Sequence, residues 1–294
     1  MIKSYVKLLR VPQWIKNFFV FVPLIFSKHI FDINYVGTAL LGFMAFCFTS
    51  SIVYIINDMM DVEADRMHPV KKNRPIASGK ISVLNAGVTA VVLLALTIGW
   101  FIYFGVNQYF IFCIISYFII NFLYSVKLKH MVLLDIFSIA AGFMLRVLSG
   151  GLIINVYISS WLILTTMFIS LFLAIMKRYS ELDVVSETDT KSTRKVLEQY
   201  SKSFTQQMAV IAAAATIICY ALYTVSERTI KAFNTENLIY TTPFVVFGIF
   251  RYMYLVYMDK KGENTTEVMM TDIPMITNVV LYFAIITLIL YNKI

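Results

Sequence analysis

Acidic side chains crowd into one short stretch of this sequence, NDMMDVEAD, which begins at Asn57. On a helix, Asn57, Asp61 and Asp65 would lie above one another on a single face, because residues four apart are helical neighbours. Asp61 and Asp65 would then repel each other unless a cation lay between them. Mg²⁺ fits this position, because it takes one or two protein carboxylates and completes its coordination with substrate phosphate oxygens. The predicted metal ligands are Asn57, Asp58, Asp61 and Asp65.

Basic side chains follow at once in HPVKKNRPIASG, which ends at Gly79. Lys71 and Arg74 are candidates to bind the phosphate that such a metal ion would accompany. A solvated charged loop with internal salt bridges is the alternative interpretation of the same residues. The preceding apolar run, Thr38–Ile56, is long enough to cross a bilayer, and the metal–phosphate interpretation is favoured because the acids stand at this membrane boundary.

A second charged segment, YSVKLKHMVLLD, places Lys127 and Lys129 on a short turn and Asp135 at the start of the next helix. Arg146 follows eleven residues later inside an apolar run, which is close to three helical turns, so Asp135 and Arg146 share a face. An ionisable side chain inside a membrane span is costly and faces a cavity or a partner. Arg146 therefore has either a functional role or a structural ion pair with another span.

Membrane helices are the elements that must position these residues. Of the 294 residues, 59% are hydrophobic and only 14% are charged, whereas soluble proteins carry about 25% charged residues. Recurring long apolar runs predict an all-α polytopic membrane protein. The nine predicted spans are Asn17–Ile30, Thr38–Asn57, Ser82–Phe104, Gln108–Ser125, Val132–Val156, Ser159–Met176, Phe204–Ser226, Leu238–Met258 and Asp272–Tyr291.

Lysine and arginine gather in alternate loops, which predicts a cytoplasmic N-terminus and cytoplasmic basic loops. The net charge of +8 therefore reflects membrane orientation, and no nucleic-acid partner is expected. Short loops predict a single domain over residues 1–294, with an amphipathic interfacial segment at 1–16. The polar segment Ser180–Ser203 predicts a surface helix. The three scattered cysteines and three scattered histidines predict neither a disulfide nor a zinc site, and a homo-oligomer is left open.

At these residues the chain resembles the UbiA superfamily of intramembrane prenyltransferases. NDMMDVEAD with HPVKKNRPIASG is similar to the first aspartate-rich motif of that family. Within the superfamily, the chain most resembles the branch of decaprenyl-phosphate phosphoribosyltransferases. The other matching segments are RVPQWIKN (Arg10–Asn17), YSVKLKHMVLLD (Tyr124–Asp135), GFMLRVLSGG (Gly142–Gly151), KRYSEL (Lys177–Leu182) and RYMYLVYMDKKGE (Arg251–Glu263).

The resemblance implies nine membrane helices around a central cavity that opens to the cytoplasm. It also implies Mg²⁺-dependent transfer of 5-phosphoribose from phosphoribosyl diphosphate (PRPP) to a polyprenyl phosphate, with loss of pyrophosphate. The enzyme would lie in the plasma (inner) membrane with its active site facing the cytoplasm. The catalytic acids would be Asp58, Asp61 and Asp65. The candidates for binding substrate are Lys16, Asn57, Lys71, Arg74, Tyr124, Lys127, Lys129, Asp135, Arg146, Lys177 and Arg178.

One difference between this sequence and the superfamily pattern helps to distinguish phosphoribosyl transfer from prenyl transfer. Its aromatic prenyltransferases carry a second acidic pair on the fifth span, of the form Asp-x-x-x-Asp, whereas here Ile139 stands four residues after Asp135. A single acidic motif fits one metal-bound diphosphate with the remaining phosphates held by lysine and arginine, as PRPP beside a lipid monophosphate requires. Transfer of a prenyl group from a prenyl diphosphate to an aromatic or lipid acceptor is the alternative. A transporter or channel is disfavoured, because the acids stand at one membrane face rather than at mid-depth.

Overall fold

Helices form all the regular structure in residues 2–67, 71–188, 195–259 and 271–291, which are the residues that this computed structural model describes. The α-helices are α1 (Ile2–Leu8), α2 (Val22–Ile25), α3 (Ile33–Met60), α4 (Val62–Met67), α5 (Val83–Phe104), α6 (Gln108–Val126), α7 (Leu134–Ile153), α8 (Ser160–Thr188), α9 (Lys202–Val225), α10 (Glu227–Phe233), α11 (Thr242–Tyr257) and α12 (Ile273–Leu290). Shorter 3-10 helices cover Val11–Phe21, Lys71–Asn73, Leu128–His130, Lys195–Gln199 and Asn237–Thr241. Residues 68–70 of the first aspartate-rich motif and 260–263 of the last matching segment lie outside the described residues.

Eight helices of the described part are long and apolar enough to cross a membrane. A ninth candidate is a bent pair in which α1 and Val11–Ile25 meet at 48°. The prediction of an all-α polytopic protein with about nine spans is confirmed. The first span differs from the predicted Asn17–Ile30, because a 3-10 helix and the four-residue α2 replace one straight helix there. Pro12 and Pro23 each stand in the first turn of these pieces, where a missing N–H costs little.

The polar segment Ser180–Ser203 also differs from its prediction as a separate surface helix. α8 continues without a break from its apolar part through Thr188, because the segment SELDVVSET contains no glycine or proline that would end a helix. Residues 189–194 lie outside the described part of the chain, and a 3-10 helix covers Lys195–Gln199. The charged residues at the start of this segment therefore stand on an extension of a membrane helix.

The chain divides into two compact units. The first unit comprises Met1–Lys127 and Leu145–Tyr157, and the second comprises Leu128–Met144 and Ile158–Ile294. α7 thus contributes its first half to the second unit and its second half to the first. The organisation of residues 1–294 as a single domain stays a prediction.

α3 is the central helix of the first unit. It begins at Ile33 because the Asp32 side chain accepts a hydrogen bond of 2.9 Å from the Asn34 N–H, which satisfies a donor that the first helical turn leaves unpaired. Its buried side chains form two apolar clusters, one around Phe46 with α6 and one around Ile55 with α5. These contacts fix the end of α3 at which the acidic stretch begins.

Gly150 on α7 lies close to the backbone of Val20. A Cβ atom at Gly150 would collide with the carbonyl oxygen of Val20 and would lie 2.9 Å from its carbonyl carbon. We expect Gly150→Ala to lower the melting temperature of the detergent-purified protein, because backbone must move to admit the methyl group. Gly99→Ala is the matched control, since a Cβ atom there has no described neighbour within 4 Å and alanine is the better helix former. Equal melting temperatures for the two variants would contradict the close approach.

The second unit is built around α8 and α9, which pack along each other. Its apolar core includes Phe172 of α8 and Tyr252 of α11, whose ring centroids lie 5.8 Å apart at 66°. Ile136 of α7 joins the same core. This packing places the start of α7 against the polar end of α8, where charged residues of both helices are buried.

Candidate functional site

The acidic stretch lies where α3 ends and α4 begins. The Asp61 N–H donates to the Asn57 carbonyl oxygen at 3.0 Å, and the Asp65 N–H donates to the Asp61 carbonyl oxygen at 2.8 Å. These bonds keep the residues in helical register across the turn at Asp61, as the spacing predicted. The Asn57 side-chain amide also donates to Asp61 Oδ2 at 3.2 Å. Asn57 and Asp61 are therefore neighbours on one face.

Two arginines contact the buried acids of this stretch. Arg74 Nη1 lies 3.1 Å from Asp58 Oδ1 and 2.6 Å from Asp65 Oδ2. Arg10 Nη2 lies 2.5 Å from the same Asp58 oxygen. Asp58 and Asp65 are only 2% and 3% exposed, and a buried carboxylate is costly unless it is paired. The two carboxylates thus converge on a position that a cation occupies.

Oxygen donors of this kind fit a hard divalent cation. No group of three His, Cys, Asp or Glu side chains that could hold a metal ion occurs among the described residues. Two converging carboxylates are nevertheless enough for an ion such as Mg²⁺, because substrate phosphate oxygens complete its coordination. The donor set therefore fits a divalent cation that arrives with a phosphate ligand. The assignment of Asn57, Asp58, Asp61 and Asp65 as its ligands stays a prediction.

The predicted phosphate-binding residues Lys71 and Arg74 lie on the loop that follows α4. Lys71 starts a short 3-10 helix, and its carbonyl oxygen accepts the Arg74 N–H at 2.9 Å. The loop turns at Gly79, whose φ of 73° is a conformation that glycine adopts readily. Arg74 is thereby brought against the acids, and the Lys71 side chain is half-buried one turn before it.

Arg146 is buried in the first unit among uncharged polar partners. Its Nε donates to Asn17 Oδ1 at 2.8 Å, and its Nη2 donates to the Tyr117 hydroxyl oxygen at 2.8 Å. Its guanidinium also lies 4.6 Å from the centre of the Tyr117 ring, a cation–π contact that helps to stabilise a buried charge. Asn17 follows the half-buried candidate Lys16 on the 3-10 helix. Arg146 therefore links α7 to the segment that carries Lys16.

Asp135 lies in a buried ionic network of the second unit. Its Oδ2 is 3.0 Å from Arg178 Nε, and Arg178 also pairs with Glu181. The Tyr200 hydroxyl donates to Asp135 Oδ1 at 2.8 Å and accepts the Leu133 N–H at 2.7 Å. Burial raises the pKa of Tyr200, and the hydrogen bond to Asp135 raises it further. Tyr200 therefore stays protonated and remains a donor to Asp135.

The remaining candidates stand at helix ends and turns. Tyr124 is half-buried near the end of α6, and Lys127 is exposed just beyond it. Lys129 is half-buried on the 3-10 helix Leu128–His130, and Lys177 is half-buried on α8. The structure does not pair Asp135 with Arg146: both lie on α7 as predicted, but each has its own partners in its own unit.

Five polar residues of these clusters were not among the sequence candidates: Arg10, Asn17, Tyr117, Glu181 and Tyr200. Arg10 and Asn17 begin and end RVPQWIKN, the segment that also contains the candidate Lys16 and that could have indicated them. Tyr117 and Tyr200 carry no local signal, because tyrosines are frequent in this chain, which has 18 of them. Their roles depend on partners that lie far away in the sequence.

The chain belongs to the UbiA prenyltransferase family, which matches residues 18–273. It is an integral multi-pass membrane protein of an enzyme family. The decaprenyl-phosphate phosphoribosyltransferase of Corynebacterium glutamicum is 38% identical over 221 residues, which are 74% of this chain and 66% of that protein. The enzyme of the same name from Mycolicibacterium smegmatis is 35% identical over 235 residues, which are 77% of this chain and 72% of that protein.

Solved structures share the fold. A UbiA homolog from Archaeoglobus fulgidus, solved with GPP and Mg²⁺, has a TM-score of 0.72 and 19% identity, and the match covers 98% of this chain and 99% of that one. At this identity, the likeness shows the fold alone. The same homolog has also been solved with Cd²⁺, with a TM-score of 0.67 and 18% identity.

Proposed function

We propose that this protein transfers 5-phosphoribose from PRPP to a polyprenyl phosphate of the decaprenyl type and releases pyrophosphate. Two relatives at 38% and 35% identity bear the name decaprenyl-phosphate phosphoribosyltransferase, which supports this choice within the UbiA family. The lack of a second acidic residue four positions after Asp135 also supports this function. A single acidic motif suits one metal-bound diphosphate, and lysine and arginine side chains are left to bind the other phosphates.

The observation that carries the proposal is the convergence of Asp58 and Asp65 on the guanidinium groups of Arg10 and Arg74. A diphosphate donor needs both signs of charge at one place. The carboxylates suit the cation that accompanies the diphosphate, and the guanidinium groups suit the phosphate oxygens, which they can bind in pairs. Few ligands other than a metal-bound polyphosphate require both.

The proposed cofactor is Mg²⁺, and the proposed ligands are Asn57, Asp58, Asp61 and Asp65. Related UbiA structures that contain Mg²⁺ or Cd²⁺ support the use of a divalent cation. When bound, the cation neutralises the negative charge that develops on the departing diphosphate. The amide of Asn57 orients Asp61, to which it is hydrogen-bonded at 3.2 Å.

In the proposed reaction, the bond between ribose carbon 1 and the diphosphate oxygen breaks, and its electron pair leaves with pyrophosphate. A new bond forms between carbon 1 and an oxygen of the lipid phosphate. That oxygen is already anionic, so the protein needs no strong general base. Its residues act by positioning the reactants and by electrostatic stabilisation.

Basic residues are proposed to hold the substrate phosphates. The assigned set is Lys16, Lys71, Arg74, Lys127, Lys129, Arg146 and Lys177. Lys177 is preferred to its neighbour Arg178, because the Arg178 side chain has no exposed surface and is paired with Asp135 and Glu181. Tyr124 completes the proposed substrate-binding residues, whereas Asp135, which is 1% exposed and paired with Arg178, is assigned a structural role. The proposed location is the plasma (inner) membrane, and the basic loops support an orientation with this site on the cytoplasmic side.

The test is turnover by the purified protein in detergent. With labelled PRPP, polyprenyl phosphate and Mg²⁺, we expect phosphoribosylated lipid and pyrophosphate in equal amounts, and we expect EDTA to abolish both. A parallel incubation replaces PRPP with a labelled prenyl diphosphate and an aromatic acceptor. Prenyl transfer without phosphoribosyl transfer would overturn the proposal in favour of the prenyltransferase alternative.

A further inference from the structure

Arg10 is held in an unusual backbone conformation beside α3. Its φ of 51° is left-handed, which non-glycine residues adopt rarely and which is retained where neighbouring structure enforces it. Ser51 of α3 provides that enforcement on both sides of Arg10. Its hydroxyl donates to the Leu9 carbonyl oxygen at 2.8 Å and accepts from Trp14 Nε1 at 3.1 Å.

These two hydrogen bonds of Ser51 hold Arg10 where its guanidinium group contacts the acidic stretch. The guanidinium lies 4.6 Å from the centre of the Tyr54 ring and contacts Asp58. Ser51, Tyr54 and Asp58 are spaced three and four residues apart, so they form one face of α3. Ser51, Tyr54 and Asp58 therefore hold the backbone and the guanidinium group of Arg10 from one face of α3.

The cations of this arrangement are more accessible than the acids. The side chains of Arg10 and Arg74 are 23% and 25% exposed, whereas those of Asp58 and Asp65 are 2% and 4% exposed. The arginine side chains are therefore more accessible to an incoming ligand than the two carboxylates are. They occupy oxygens that a divalent cation would need, and like charges at such distances repel strongly.

We propose that Arg10 and Arg74 are exchange cations: they neutralise Asp58 and Asp65 in the free protein and turn to the phosphate oxygens of the anionic donor when it binds with its divalent cation. This inference rests on the proposed function, because the anion is then the diphosphate of PRPP. A divalent cation alone must compete with both guanidinium groups, whereas with the donor present each guanidinium has a new anionic partner. Divalent cation and donor should therefore each raise the affinity for the other by the same factor.

The experiment titrates Mn²⁺, detected by its electron paramagnetic resonance signal, into the purified protein with and without PRPP. For the wild type, we expect PRPP to tighten Mn²⁺ binding. For Arg10→Gln, we expect Mn²⁺ alone to bind about tenfold more tightly. We expect PRPP at saturating Mn²⁺ to bind about tenfold more weakly. Each change in affinity corresponds to the loss of about one charge-assisted hydrogen bond. Opposite changes are diagnostic, because a merely structural role would weaken both.

Lys80→Gln is the matched control, since it removes one exposed cation from the loop that carries Arg74 without removing a partner of Asp58 or Asp65. Arg74→Gln, which removes a cationic partner of both Asp58 and Asp65, must likewise bind Mn²⁺ alone more tightly and PRPP more weakly. This variant serves as the test if Arg10→Gln fails to fold.

Different results would contradict the proposed function and the proposed exchange of cations. If the wild type binds no PRPP at saturating Mn²⁺, the proposed function fails. If the wild type binds PRPP but the arginine variants match Lys80→Gln in donor-free Mn²⁺ affinity, only the exchange is overturned.

Discussion

Asp61→Asn is expected to lower the proposed phosphoribosyl transfer by about 10³-fold or more, because loss of a proposed metal ligand removes several kcal/mol of transition-state stabilisation. The amide of asparagine keeps the size of the side chain and can still form a hydrogen bond with Asn57, its partner at 3.2 Å. Asp61 itself is half-buried rather than buried, so its neutralisation should leave the melting temperature almost unchanged. The turnover number at saturating Mg²⁺, measured beside a thermal melt, checks both expectations.

Glu63→Gln is the matched control for Asp61→Asn. Glu63 belongs to the same acidic run, but its side chain is exposed on α4, and it is not among the predicted ligands. We expect this variant to retain nearly full activity. If Asp61→Asn and Glu63→Gln were equally active, the acidic run would contribute only general negative charge, and Asp61 would not be a metal ligand.

Asp135→Asn is expected to lower the free energy of unfolding by about 3 kcal/mol, because it removes one of the two carboxylates that pair with the buried Arg178 cation. Asp135 and Arg178 are 1% and 0% exposed, respectively, and their closest charged atoms are 3.0 Å apart. Glu181 remains beside Arg178 in this variant, which limits the loss. Thermal unfolding in detergent, followed by circular dichroism, measures the effect.

Removing both charges should restore part of this stability. We expect the double variant Asp135→Asn with Arg178→Met to melt at a higher temperature than Asp135→Asn alone, because a buried cation that has lost one of its two carboxylate partners is costlier than an apolar side chain. Glu227→Gln is the control: its pair with Lys231 is 89% and 79% exposed on the two side chains, so its melting temperature should equal that of the wild type. An Asp135→Asn protein as stable as this control would contradict a structural role for the network.

The all-helical fold class, the approximate number of spans and the acidic motif could be predicted from the sequence. Hydropathy over a window and helical spacing depend only on residues that are close in the chain. The run that ends at Ile56 and the four-residue interval from Asp61 to Asp65 are local features of this kind. The predicted register across Asp61 was correct because the backbone hydrogen bonds there join residues four apart.

The predicted first span, Asn17–Ile30, and the predicted surface helix in Ser180–Ser203 matched the structure less well. A 3-10 helix and a bend of 48° replace the first, because prolines at positions 12 and 23 mark where new helical pieces begin. The surface helix proved to be a continuation of α8 through Thr188, since a change from apolar to polar residues does not end a helix. Hydropathy reports what surrounds a helix, and it does not report where the helix stops.

Composition and residue spacing were enough to predict a helical membrane protein with a carboxylate array and basic loops, whereas packing between distant parts of the chain sets which charges meet. Arg10 and Asp58 are 48 positions apart, Tyr200 and Asp135 are 65 apart, and Asn17 and Arg146 are 129 apart. Such partners are brought together by helix packing, and no periodic pattern records them. Spacing could therefore place Asp135 and Arg146 on one helix, but it could not show that one binds Arg178 and the other binds Asn17 and Tyr117.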